Sequence, residues 1–250
     1  MGKCEQCIVR ELSSLKALSK EELIHLSHCK DSYNVKKGDV IFNEGDLMNG
    51  VYCIKEGTCK LVKMNSNGKD TILKLISKGD LLGQTSILTE DTASLTAVAV
   101  DDMKVCFIPK NEILGFINEN SKFSMEVTRD MCNRLKEANE FAANHTHKTV
   151  KERLAQTLLN IDDLAGVDEE GFLNLQLTRE EIASMVGTAT ESCIRLLADL
   201  KKTGSIDLKG KKIKIVKGAF DYLISQCSNL QLNNKTIKLT EKEIKKLEKI

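Results

Sequence analysis

Glu191 and Arg195 stand one helical turn apart in the stretch TREEIASMVGTATESCIRLL, residues 178 to 197. Arginine donates well to guanine O6 and N7, and glutamate accepts from cytosine N4. Together they suit one G·C pair and its neighbour in a major groove. The same residues would also make an ordinary i, i+4 ion pair, with Glu191 capping its helix. Cysteines form the second chemistry-bearing set. Cys4 and Cys7 make a Cys-x-x-Cys pair, and Cys106 sits in MKVCFIP. Thiolates so placed can hold a metal centre or act as a redox pair. Cys106, Cys53, Cys59 and Cys132 would also serve as small buried hydrophobes, as free cysteines commonly do.

The first pair depends on a helix–turn–helix to present it. Thr178 with Glu181, and Thr188 with Glu191, each fit a capping box and mark two helix starts. Gly187 suits the turn, and small Ala183 lets the helices approach. Cys193, Leu196, Leu197 and Leu200 would then face inward, leaving Thr190, Glu191, Ile194 and Arg195 outside. A basic hairpin follows, IDLKGKKIKIV. Residues 171 to 217 hold nine Lys/Arg against five Asp/Glu, a local +4 on a chain of net charge +1. A helix pair with a basic wing can hold a duplex by its phosphates.

Upstream, residues 12 to 28 read as a short helix. From about 33 to 108, short apolar runs broken by glycines predict an antiparallel sandwich or jelly roll. Asn67-Gly68 marks a hairpin turn, and Pro109 suits the start of a helix reaching about 117. Residues 121 to 143 predict one long helix. Val127, Met131, Leu135, Ala138 and Ala142 form its narrow apolar stripe, either a seam between two copies or a face packed on the chain's own sandwich. NHTHKT, 144 to 149, reads as a polar hinge before a helix over 150 to 164. The organisation expected is an arm and helix (1–30), a β sensor (31–118), a dimer helix and hinge (119–145), a DNA-binding domain (146–225) and a Lys-rich tail (226–250). No apolar run is long enough to span a bilayer. Nine cysteines without an export signal suit a reducing cytoplasm.

This order of parts resembles the Crp/Fnr family of bacterial transcription regulators over roughly residues 4 to 225. LTREEIASMVGTATESCIRLL, KGKKIKI and GDLLGQTSIL carry the likeness. The fold class it implies is α+β: an N-terminal antiparallel β-roll of the cNMP-binding jelly-roll kind, a long dimerisation helix and a C-terminal winged helix-turn-helix. It implies a homodimer on an inverted repeat of TTGA-like half-sites in double-stranded DNA, with RNA polymerase as a further partner. The recognition pair falls on Glu191 and Arg195, phosphate contacts on Thr178 and Arg179, and backbone contacts on Lys209 and Lys211. Thr190 stands where the cyclic-AMP-sensing branch has arginine.

For the effector, three readings stay open. Cyclic-AMP-binding members place Glu and Arg where this chain has Gln84 and about Ser94. No arginine lies between Arg10 and Arg129, so Lys74 or Lys78 would have to substitute. Oxygen-sensing members resemble the chain at Cys4, Cys7 and Cys106, which implies an iron–sulfur cluster. Their next N-terminal cysteine falls on Ser13, and Cys29 is the nearest replacement. Otherwise the regulator works without an effector. Haem could use His25 or His28. A cupin-type enzyme needs histidines on the strands, and all four here lie outside that region. The expectation is a regulator with no enzymatic activity.

Overall fold

The computed structural model describes residues 3–64, 70–216, 229–232 and 235–238. The N-terminal arm winds through 3-10 turns at Cys4–Gln6, Ile8–Leu12 and Ser14–Ala17 before α1 (Lys20–Cys29). The helix expected from residue 12 thus starts later. Ser19 sets the start: its Oγ accepts the Glu22 N–H at 3.2 Å, and Glu22 accepts the Ser19 N–H at 2.6 Å. This reciprocal cap fixes the first turn.

Eight strands form the β-roll: β1 (Asp31–Val35), β2 (Val40–Phe42), β3 (Gly50–Glu56), β4 (Cys59–Met64), β5 (Asp70–Ile76), β6 (Leu81–Leu82), β7 (Thr96–Ala99) and β8 (Met103–Pro109). They pair antiparallel in two sheets, ordered β1-β8-β3-β6 and β2-β7-β4-β5. Ile54, Ile76, Leu82, Ala97, Met103 and Val105 fill a core between them. Gly57 makes the β3–β4 turn at φ 87°, where a Cβ would lie 2.7 Å from the Asp102 carbonyl oxygen. The expected Asn67-Gly68 turn lies outside the described residues. A short helix, α2 (Gln84–Thr89), follows β6.

Pro109 precedes α3 (Lys110–Glu119), and α4 (Ser121–His147) follows. The helix thus runs through most of the expected hinge, because NHTH contains no glycine or proline to break it. Only residues 148–149 separate it from α5 (Val150–Ala165), where Thr149 and Glu152 form a capping box. Val127 and Phe123 on α4 are buried beside Leu15, Leu18 and Leu81 of the same chain.

The C-terminal domain comprises α5, α6 (Arg179–Val186), α7 (Thr190–Lys202) and a hairpin of β9 (Ile206–Lys209) and β10 (Lys212–Ile215). Its core holds Leu154, Leu158, Ile161, Ile182, Leu197 and Ile213, and Leu75 and Val100 of the roll join it. In the Lys-rich tail, β11 (Asn229–Leu232) and β12 (Lys235–Lys238) pair as an antiparallel hairpin. Among the described residues, no helix is long and apolar enough to cross a membrane.

Candidate nucleic-acid interface and cysteine cavity

Thr178 caps α6 as the sequence predicts, exchanging bonds of 3.1 and 2.7 Å with Glu181. Gly187 ends the helix at φ 68° in the left-handed region that favours glycine. The second expected box does not form. Ala189 is the N-cap of α7, without a side-chain bond, so Glu191 caps nothing. Nor does it pair with Arg195: neither side chain has a hydrogen bond or ion pair among the described residues. Cys193, Leu197 and Leu200 are buried and Leu196 is half-buried. Glu191, Arg195 and Ile194 (50% exposed) face out, with Thr190 half-buried at the start of the helix.

Arg179 links this face to the wing. Its Nη2 donates to the Gly210 carbonyl at 3.0 Å, while Nη1 is buried without a partner among the described residues. Gly210 and Lys211 form the two-residue turn, with Lys209 opposite Lys212. Lys211 is exposed at the tip and unpaired among the described residues. Lys209 lies 3.2 Å from Glu170 and 6.0 Å from the centre of the Phe172 ring. Lys212 and Lys214 instead anchor the wing, reaching Asp168 and the Glu170 carbonyl, both at 2.8 Å. The Lys212 bond holds the Asp168 carboxyl below its ordinary pKa. The only sequence signal for this partnership is the acidic run Asp168-Glu169-Glu170 ahead of a basic hairpin.

A second feature lies beneath the arm. Cys4, Cys7, Cys53 and Cys106 line one apolar cavity with Leu15, Leu26 and Lys30. The Cys4 N–H donates to Ser27 Oγ at 2.7 Å, fastening the arm to α1. Cys53 and Cys106 stand directly opposite on β3 and β8. Buried Lys30 points its Nζ 3.6 Å from the Cys106 sulfur. Burial opposes charge on Lys30, but the Cys106 and Cys4 sulfurs outweigh it and raise its pKa. Burial first, then the neighbouring sulfurs of Cys106, Cys7 and Cys4, push the Cys53 thiol up to about 12. The structure does not bring Cys29 here. Its sulfur turns the other way, 3.5 Å from His25 Nε2.

At the roll's other expected contact, Gln84 is buried and donates to Asp130 on α4 at 2.7 Å. Arg134 holds that carboxylate at 2.9 Å. The Ser94 carbonyl accepts from Lys63 at 3.2 Å. Along α4, Val127 is buried and Met131 half-buried, while Leu135 (63%), Ala138 and Ala142 are exposed. The outward positions Met125, Thr128, Cys132, Leu135, Asn139 and Ala142 follow a 3-4-3-4-3 spacing. The sequence's stripe is therefore split: Val127 packs against the arm and roll of its own chain, and the exposed apolar positions lie on a face rotated from it.

The chain is similar to known proteins in both parts. Residues 33–120 match the cyclic nucleotide-binding domain, and 152–219 match the Crp-like helix-turn-helix domain. The anaerobic regulatory protein of Bacillus subtilis (strain 168) is 30% identical over 205 residues, 79% of this chain and 85% of that protein. The anaerobic regulatory protein of Pasteurella multocida (strain Pm70) is 28% identical over 216 residues, 85% of this chain and 78% of that one. Among solved structures, FixK2 from Bradyrhizobium japonicum superposes with a TM-score of 0.67 at 22% identity, covering 75% of this chain and 93% of its own. A regulator of the crp/fnr family from Eubacterium rectale gives 0.66 at 20% identity, covering 94% and 97%. With these matches to both parts, and with a β-roll, a long helix and a winged helix pair in the same order, the chain belongs to the Crp/Fnr family of DNA-binding transcription regulators.

Proposed function

We propose that the chain acts as a homodimer reading an inverted repeat of TTGA-like half-sites, one per subunit, and that redox chemistry at the cysteine cavity sets its activity. The observation that carries the DNA reading is the free, exposed Glu191–Arg195 pair beside a basic wing. In the groove, Arg195 would donate to guanine and Glu191 accept from cytosine, while Ile194 meets a thymine methyl. Thr178, Arg179, Lys209 and Lys211 would contact phosphates and hold the register. Thr190 is too short to reach a further guanine. The exposed heptad of α4 supports pairing with a second copy, which places two half-sites about one helical turn apart. RNA polymerase is the expected protein partner and the cytoplasm the expected compartment. The chain carries no enzymatic role in this reading.

The redox part rests on the donor set. Four thiols around an apolar cavity fit an iron–sulfur cluster, which when bound would supply sensitivity to oxygen. Cys4, Cys7, Cys53 and Cys106 would hold it, with Cys53 in the place expected of Cys29. Lys30 would offset the negative charge of the thiolates. Cys4 also anchors the arm whose Leu15 and Leu18 pack with Val127 of α4. Losing the sulfur ligation would loosen that packing and so reach the dimer helix. Relatives named for anaerobic regulation suit this input.

Selection of binding sites from random DNA tests the first part. Enrichment of a two-fold TTGA-like repeat is expected; sites without a two-fold G·C core would overturn it. Protein purified from strictly anaerobic cells should carry iron and sulfide, lost on Cys106→Ser. Iron-free protein would leave the cluster reading without support and the DNA reading intact.

A further inference from the structure

We infer that His25, Cys29 and Glu112 form a divalent-metal site of zinc type on the outer side of the sensor domain, joining α1 to α3. One ligand atom from each of the three lies within 4.8 Å of the others. The Cys29 sulfur is 3.5 Å from His25 Nε2, and Glu112 Oε2 is 2.6 Å from the same nitrogen. His25 and Cys29 are four residues apart on α1, hence on one helical face. A thiolate, an imidazole and a carboxylate are zinc's ligand types, whereas calcium and magnesium prefer oxygen alone.

The surroundings fix the ligands. The His25 ring stands edge-on to Phe116, with centroids 6.4 Å apart. Glu112 is 17% exposed, and its other oxygen accepts from Asn111 Nδ2 at 3.1 Å. Such outer support is what orients metal ligands. Metal binding would replace the His25–Glu112 hydrogen bond, move the imidazole proton to Nδ1 and release the Cys29 thiol proton to solvent. The fourth position faces solvent and takes water. This site is separate from the cysteine cavity, which Leu23 and Leu26 on the other face of α1 line together with Lys30 just past its end. It does not rest on the cluster reading. Its effect would be to pin α1, and with it the arm, to the helix that leads into α4.

The test uses the full chain, stripped of metal by a chelator under reducing, anaerobic conditions and titrated with Co²⁺, with Zn²⁺ as competitor. A Cys4→Ala/Cys106→Ala double variant removes thiols of the cavity. It should still bind one Co²⁺ with a thiolate-to-cobalt charge-transfer band that Zn²⁺ abolishes. Cys29→Ala should lose the band. Glu112→Gln should weaken binding more than about tenfold, a loss that even an outer-shell partner can cause. Cys132→Ala, at the exposed cysteine of α4, should leave the cobalt band as it is. If the double variant fails to fold, the difference between the unmodified chain and Cys29→Ala reads the same site. A charge-transfer band that survives Cys29→Ala introduced into the double variant, or no Co²⁺ binding by the double variant when folded, overturns the site.

Discussion

Charged residues around α7 and the wing divide by whether they already have partners. Lys212 and Lys214 are tied to the 168–170 loop, whereas Lys211, Glu191 and Arg195 are free among the described residues. Free groups can meet DNA without giving up a partner, whereas Lys209 would meet it in competition with its ion pair to Glu170. Arg195→Ala and Glu191→Ala should each cost about 1–3 kcal/mol on the specific site and relax choice at the G·C pair. Lys211→Ala should weaken specific and scrambled duplexes alike and lower the salt slope by about one. Lys212→Ala should act differently, lowering the melting temperature through a loosened wing. Titrations of both duplexes across a salt series, with thermal melts, separate the three behaviours. An unchanged site preference in Arg195→Ala would return Glu191 and Arg195 to ordinary surface charge.

The elements show which readings survive folding. Leu135→Glu on α4 should split the proposed dimer with little loss of protomer stability, because the side chain already faces out. Val127→Glu should destabilise the protomer by more than about 3 kcal/mol, since it would bury an unpaired charge in the sensor core. Light scattering and thermal unfolding tell these outcomes apart; a Leu135→Glu chain that stays dimeric would rule out the outward heptad as the seam. The split stripe was beyond sequence reading because apolar spacing marks a face without saying which neighbour covers it. The strands were legible because glycine turns punctuate them. The Thr178 cap was legible because it is local. The Thr188 cap failed for a local reason too: the Thr188 N–H donates to the Ala183 carbonyl at 3.0 Å and still belongs to the close of α6. Cys53 was out of reach, since only the pairing of β3 with β8 sets it opposite Cys106. The turn of Cys29 away from the cavity likewise follows from the rotation of α1 on the roll.

Across the whole molecule, β5 connects the parts. It is an edge strand of its sheet, and α6 covers part of that edge. Ser184 Oγ accepts the Ile72 N–H at 2.9 Å and donates to the Asp70 carbonyl at 3.2 Å. Lys60 adds an ion pair to Glu181 at 2.7 Å. On the same strand, Lys74 reaches Glu137 of α4 at 2.6 Å. A shift of α4 against the roll therefore bears on a strand that also seats the DNA-binding domain. Ser184→Ala should weaken that seat by about 1–2 kcal/mol, because the Ile72 N–H loses its acceptor. Faster hydrogen exchange at Ile72 and easier proteolysis at residues 148–149 should report it. Affinity for a single half-site should stay, since the outer face of α7 proposed to read bases is exposed while α6 is docked; the advantage of the full repeat should fall. Acid gives the complementary test. Burial opposes charge on Glu181, yet its bonds from Lys60 and the Thr178 N–H outweigh burial and hold its carboxyl below the ordinary value. A carboxyl depressed in the folded state contributes fully above its unfolded pKa, about 4.3 for glutamate. That contribution fades as pH falls through the depressed value. Ile72 protection should therefore drop on acidification below about pH 4, and Lys60→Ala should show a shallower drop from a lower start. An equal pH dependence with and without Lys60 would mean that Glu181 serves only its own helix cap and that the ion pair does not seat the domain.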